Sequence, residues 1–171
     1  MFLSWLRPRR KPHNRPASFR PSLLSLDERI VPTSAHFIYA TSSVNAAGAL
    51  VVSFKEAGLG DNQNIDYTVT GNQLAKSSFT NNGGNVVQGQ PFNAVDATLA
   101  SGAFNSGKNG NVVGTLTSGV PDLPVPKQVN GRGWVQTVDI TYTNCAINDV
   151  TNGVSAAVAD TSFHSVTPVV K

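Results

Sequence analysis

Residues 134–143 alternate at period two for ten positions without a break. Trp134, Gln136, Val138, Ile140 and Tyr142 fall on one side, and Val135, Thr137, Asp139, Thr141 and Thr143 on the other. A helix repeats every 3.6 residues and would scatter this apolar set around its circumference. An extended strand gathers it on one face. A strand with one apolar face needs a second layer to cover it, so this run predicts a sheet packed against something else.

Other stretches point the same way. Ile65, Tyr67 and Val69 oppose Asp66, Thr68 and Thr70, and Val95, Ala97 and Leu99 oppose Asp96 and Thr98. Leu50-Val51-Val52-Ser53-Phe54 is apolar on both sides and predicts a central strand. His36–Ala40, Val112–Thr117 and Ala146–Val150 add three more candidates, with further ones at Leu74–Thr80 and Val154–Ala159. Glu28 and Glu56 are the only glutamates, and charged residues make up 13% of the chain. Average proteins carry about 25%. Good helix formers are therefore scarce, and β-branched and turn residues take their place.

The turn residues agree. Asn82-Gly83, Asn109-Gly110, Asn130-Gly131 and Asn152-Gly153 are Asn-Gly pairs, which favour tight hairpins because both residues tolerate positive φ. Pro121-Asp122-Leu123-Pro124-Val125-Pro126 predicts a stiff irregular linker. The expected fold is all-β: an antiparallel β-sandwich or open barrel of seven to nine short strands over residues 34–171, preceded by a separate segment, 1–33. No repeat of solenoid or propeller length is evident.

Charge divides the chain at the same point. Residues 1–33 hold seven Arg and Lys (Arg7, Arg9, Arg10, Lys11, Arg15, Arg20 and Arg29) against Asp27 and Glu28. The remainder holds six basic against eight acidic residues, and the two parts together give the formal +3. A basic block joined to a mildly acidic domain is the pattern of a tail. Pro8, Pro12, Pro16, Pro21 and Pro32 rule out a continuous helix there, so the residues before Leu23 are expected to be extended and mobile. The order of this segment does not suit a secretory signal, because Met1-Phe2-Leu3 and Trp5-Leu6 precede the charges instead of following them. No apolar run approaches the ~18 residues of a membrane-spanning helix.

From Arg20 onward the head reads Arg-Pro-Ser-Leu-Leu-Ser-Leu-Asp-Glu-Arg-Ile-Val-Pro-Thr, ending at Thr33. This element resembles the N-terminal segment of many exported planctomycete proteins. In those, an Arg/Pro-rich start runs into a Leu-Glu-Asp-Arg-x-x-Pro-like motif before the mature domain. Here Asp27-Glu28-Arg29 stands for the acidic-acidic-Arg core with the acidic order swapped, and Pro32 for the closing proline. The resemblance covers about 14 residues and implies a cell-envelope or extracellular destination. In the body, Phe54–Tyr67 is also similar to segments of small exported bacterial proteins of unassigned function, which implies no role for any residue. A basic run such as Arg7-Pro8-Arg9-Arg10-Lys11 also suits salt-sensitive contact with nucleic acid or an anionic surface. No interleaved aromatic residues supply a base-stacking platform, which argues against that role.

Few residues are spaced for chemistry. Gly102-Ala103-Phe104-Asn105-Ser106-Gly107-Lys108-Asn109 has P-loop spacing through the lysine. Asn109 replaces the metal-binding Ser or Thr, and a strand instead of a helix is expected to follow, so the segment is read as a hairpin. Asp61, Asn62, Asn64 and Asp66 form an oxygen-rich loop that is the one calcium candidate. An EF-hand needs Gly at its sixth position and Glu at its twelfth. Counting from Asp61 puts Asp66 and Asn72 there, and counting from Asn62 puts Tyr67 and Gln73. A turn rich in side chain–backbone hydrogen bonds accounts for the loop better. His36 and His164 would approach each other only if the terminal strands paired, and two histidines fall short of a catalytic zinc site. Cys145, the only cysteine, sits in an apolar-alternating run and reads as a buried hydrophobe. Glu56 has several aspartates as possible spatial partners, with no local selection among them. The expectation is therefore no catalytic residues, no cofactor and a non-catalytic domain. It would act by surface contact with a glycan, a protein or a second copy of itself, near Trp134, near the Pro121–Pro126 linker or along a strand edge.

Overall fold

The structure is a computed structural model that describes residues 34–130 and 133–169. The segment 1–33 and the expectations made for it, Leu23, Leu24, Leu26 and the planctomycete-like element included, lie outside the described residues, as does Gly131. Nine strands are present among the described residues: β1 (His36–Val44), β2 (Leu50–Ala57), β3 (Asn64–Asn81), β4 (Val86–Gln88), β5 (Phe92–Asn105), β6 (Asn111–Thr117), β7 (Trp134–Asp149), β8 (Val154–Ala157) and β9 (Thr161–Pro168). All pairings are antiparallel. The strands form two open sheets, so the architecture is sandwich-like and not a closed barrel. No described helix is long and apolar enough to cross a membrane.

The smaller sheet has the order β1-β2-β6. As its apolar run predicts, β2 is central, and Leu50, Val52, Phe54 and Glu56 point inward. The larger sheet is built on two long strands, β3 and β7, paired along nearly their whole length. Each carries two shorter partners in succession: β5 and then β4 along β3, β8 and β9 along β7. Its inner face contributes Ile65, Tyr67, Val69, Ile140, Tyr142, Cys145 and Ile147 to a core shared with β2, Val112 and Leu116. Removing these side chains from water stabilises the fold by roughly 1.5–3 kcal/mol for each large one, and this is what holds the sheets together. An aromatic group joins them directly: the Phe54 ring lies 4.6 Å from Tyr67 and 5.5 Å from Phe104.

Three expectations are corrected by register and topology. Ala146–Val150 is not a strand of its own but the continuation of β7. The two halves are separated at Asn144, whose φ of 53° marks a β-bulge. The bulge moves the inward positions from Ile140 and Tyr142 to Cys145, Ile147 and Asp149. Opposite it, Gly71 has no side chain because a Cβ there would stand 2.5 Å from Cys145 Sγ. A second bulge at Asp96, with φ of 48°, turns Val95 outward while Ala97 and Leu99 face in. The segment Gly102–Asn109 is not a hairpin. It ends β5 in the larger sheet, passes through a 3-10 turn (Gly107–Asn109) and enters β6 in the smaller sheet. The condition under which His36 and His164 would approach each other, pairing of the terminal strands, is not met, because β1 pairs with β2 and β9 with β7.

Two Asn-Gly pairs do close hairpins, β3–β4 and β7–β8. In the first, Asn81 Oδ1 accepts from the backbone of Gly83 and Asn85, and positive φ falls at Gly84 instead of Gly83. Asn109-Gly110 instead serves the turn between sheets, where Gly110 is left-handed.

Candidate functional site: two hollows astride the proline-rich linker

The segment after β6 begins Ser118-Gly119-Val120-Pro121 and stays irregular through Asn130. Proline at 121, 124 and 126 prevents it from joining either sheet, since each removes a backbone donor. Ser118 anchors its start: its backbone N–H donates to Leu50 O at 2.8 Å, and its hydroxyl accepts from Leu50 N–H at 3.0 Å.

Val120 and Pro121 are shared by two hollows of about 300 Å³ each. The first has a floor of cross-strand pairs from the inner face of the larger sheet: Ile140 with Phe163 and Val138 with Ser165, with Gln136 next along β7. Ala46 and Ala47 of the β1–β2 turn and Leu123 of the linker complete its walls. The second lies against β5, with Phe92, Ala94, Ala97 and Leu99, and has buried Gln73 on its far side. Most of the lining side chains are apolar, but about half of the surface they present is polar: Gln136 and Ser165 border the first hollow, and Gln73, Thr98 and the Asp122 carboxylate border the second. In small binding sites apolar area supplies affinity and polar atoms fix orientation. Pocket-sized cavities near 300 Å³ lie at the small end of that range.

The β1–β2 turn is positioned by a buried polar chain. Gln73 Nε2 donates to the Tyr142 hydroxyl at 3.0 Å, and that hydroxyl donates to Gly48 O at 2.8 Å. Gly48 has φ of 88° and lies so close to Ile140 that a Cβ would approach its Cδ1 to 2.8 Å. Glycine therefore lets Ala46 and Ala47 sit against the floor.

The calcium candidates are divided between a loop and a strand. Asp61 and Asn62 lie in the β2–β3 loop, and Asn64 and Asp66 are on β3. The loop is organised by Ser106, which is buried. Its hydroxyl donates to Gly60 O at 2.7 Å and accepts from Gln63 N–H at 2.9 Å. Asn64 Oδ1 accepts from Asn105, and Asp66 N–H donates to Thr151. Among the described residues, no group of three or more His, Cys, Asp or Glu side chains is placed to hold a metal. Lys108 lies in the turn between sheets and is followed by β6, where a phosphate loop would need a helix. His36 Nδ1 contacts Ser34 O at 2.8 Å, and His164 Nδ1 contacts Asp139 Oδ1 at 2.7 Å on the exposed face of the larger sheet. Cys145 is buried, and that burial pushes its thiol pKa up, away from a reactive thiolate.

A feature passed over in the sequence is the partner of Glu56. Glu56 is 0% exposed and faces Tyr67 and Asp149, each 1% exposed. Neither hollow is lined by any of the three. The signal was present in β2, where Leu50, Val52, Phe54 and Glu56 share one parity, so that a carboxyl must enter the core. Phe163 and Ser165 of the hollow had no such signal, because Thr161–Pro168 shows no clean alternation of apolar residues.

No known family model matches this chain, and no curated protein matches it in sequence.

Proposed function

We propose that this chain is a non-catalytic binding module of the cell envelope or exterior, and that it binds through the hollows on either side of Pro121. The observation that carries the reading is the pair of hollows sharing Val120 and Pro121, each lined by apolar side chains and polar groups in about equal exposed measure. Neither lining contains two titratable side chains, so binding is better supported there than acid–base chemistry. The ligand class that suits such a lining is a short peptide or a glycan with an apolar face. The destination rests on the likeness of residues 20–33 to the exported element described above.

Val120 is the residue to change, because it borders both hollows and is 52% exposed, so a charge there leaves the core intact. The full chain is incubated with an isolated envelope fraction of its native host, beside Val120→Asp. Retention of the wild type and at least tenfold weaker retention of the variant, at equal melting temperature, is expected. Equal retention of the two, or none of the wild type, overturns the proposal.

A second reading is self-association as an envelope component. It is favoured by β6, which ends the smaller sheet and carries Val113 at 67% exposure. Across that sheet Val113 aligns with Lys55 and Tyr39 on the outer face. An open strand edge is a template for pairing with another chain. Sedimentation over a wide concentration range tests it, with a single monomer throughout as the contrary result.

A further inference from the structure

The chemistry left over by the hollows lies at the other end of β1 and β2. Phe37, Glu56 and Val112 form one cross-strand row of the smaller sheet. Gly102, Tyr67 and Asp149 form a row of the larger one. Glu56 thus enters the core from one sheet, and the phenol and second carboxyl meet it from the other. Asp149 already acts as an acceptor: Asn152 N–H donates to Oδ1 at 2.8 Å, and Asn152 Nδ2 donates to Oδ2 at 2.6 Å. Neither oxygen of Glu56 nor the Tyr67 hydroxyl has a well-formed hydrogen bond.

Two ionised carboxyl groups facing each other in a core are strongly disfavoured. A proton on Glu56 removes the conflict. We propose that Glu56 is a proton-operated clasp between the two sheets, closed while its carboxyl is neutral and loosened when that carboxyl ionises against Asp149.

The surroundings agree with that assignment. Burial pushes the Glu56 carboxyl up to about 7 from an ordinary 4.5, the adjacent Asp149 adds to the rise, and Tyr67 and the more distant His36 oppose it. From the elements packed against it, the facing titratable groups are therefore His36 on β1, Tyr67 on β3 and Asp149 on β7. No residue of β6 is titratable. Burial and the nearby Glu56 also push the Tyr67 phenol upward, so Tyr67 stays neutral and hydrogen-bond competent.

The sign of the pH dependence follows from linkage. Below pH 4.5 Glu56 is protonated in both the folded and the unfolded chain, and the clasp contributes fully. Between 4.5 and about 7 the unfolded chain releases the proton while the folded chain retains it, so stability falls as pH rises. Above about 7 the loss is complete. One proton over this window changes the folding equilibrium constant by about two orders of magnitude.

Denaturant melts of the full chain between about pH 5 and about pH 8 test this, on the wild type and Glu56→Gln. The wild type is expected to lose stability through the window, and the neutral isostere to hold a flat profile. A flat wild-type profile, or an undiminished slope in Glu56→Gln, overturns the proposal. So does full restoration of the wild type at the alkaline end by calcium or magnesium chloride, which would make the site one for a cation. If Glu56→Gln does not fold, the wild type decides alone. The infrared carbonyl band of a protonated buried carboxylic acid must be present on the acid side and vanish on the alkaline side. Its absence on the acid side overturns the clasp.

Discussion

The Tyr142 hydroxyl donates to the Gly48 carbonyl at 2.8 Å, although the two residues lie 94 positions apart in the chain. This bond fastens the β1–β2 turn of the smaller sheet to a central strand of the larger. The same hydroxyl accepts from Gln73, so one buried oxygen satisfies two polar groups at once. Tyr142→Phe keeps the ring and removes the link. It is expected to cost about 1–3 kcal/mol in urea melts, because Gly48 O and Gln73 Nε2 lose their partner while buried. Ligand retention should weaken along with it, since Ala46 and Ala47 are no longer held at the hollow.

Ile140 and Thr141 are adjacent on β7 and face opposite ways, with Ile140 in the core and Thr141 exposed. Ile140→Ala leaves a cavity and should cost about 2–5 kcal/mol. Thr141→Ala should cost within about 0.5 kcal/mol. Equal losses in paired denaturant melts would contradict the observed register.

Gly71 admits no side chain opposite the bulge at Asn144, because Cys145 Sγ fills the space a Cβ would need. Gly71→Ala should destabilise by about 1–3 kcal/mol through overpacking. Combining it with Cys145→Ala should return part of the loss, since the nearest clashing atom is gone. Strict additivity of the two changes would place the clash elsewhere.

The Cys145 thiol is buried, and its pKa is pushed up by that burial and by nearby Asp160. A thiol reagent should therefore modify the native protein slowly and the urea-unfolded protein at the rate of a free cysteine. Modification at equal rates would show Cys145 to be exposed in solution.

Much of the fold was legible in single segments. Period two is a property of the extended backbone itself, so Ile65–Val69 and Trp134–Tyr142 declared both their strands and their inner faces, and the apolar run Leu50–Phe54 declared a central strand. The linker was legible for the same kind of reason, since Pro121, Pro124 and Pro126 cannot donate to a ladder. Parity was reliable only up to the next bulge. At Asp96 and Asn144 one extra residue reversed which side faced the core, and the gain from that reversal lies in the partner strand and not in the local sequence.

Pairing was decided by the tertiary structure alone. Whether the turn Gly107–Asn109 closes a hairpin or crosses between sheets depends on which strands β5 and β6 find, and their own residues do not say. The hollow has the same origin. Its β7 floor was written in the alternation of Gln136, Val138 and Ile140, but Phe163, Ser165, Ala46 and Val120 come from segments with no distinguishing pattern. The β2 alternation sends the Glu56 carboxyl into the core, but Asp149 faces it only because β2 and β7 belong to opposed sheets. Alternation is short-range chemistry carried by each segment. Strand partnership is a choice among many long-range alternatives, settled by how the whole apolar surface is best buried.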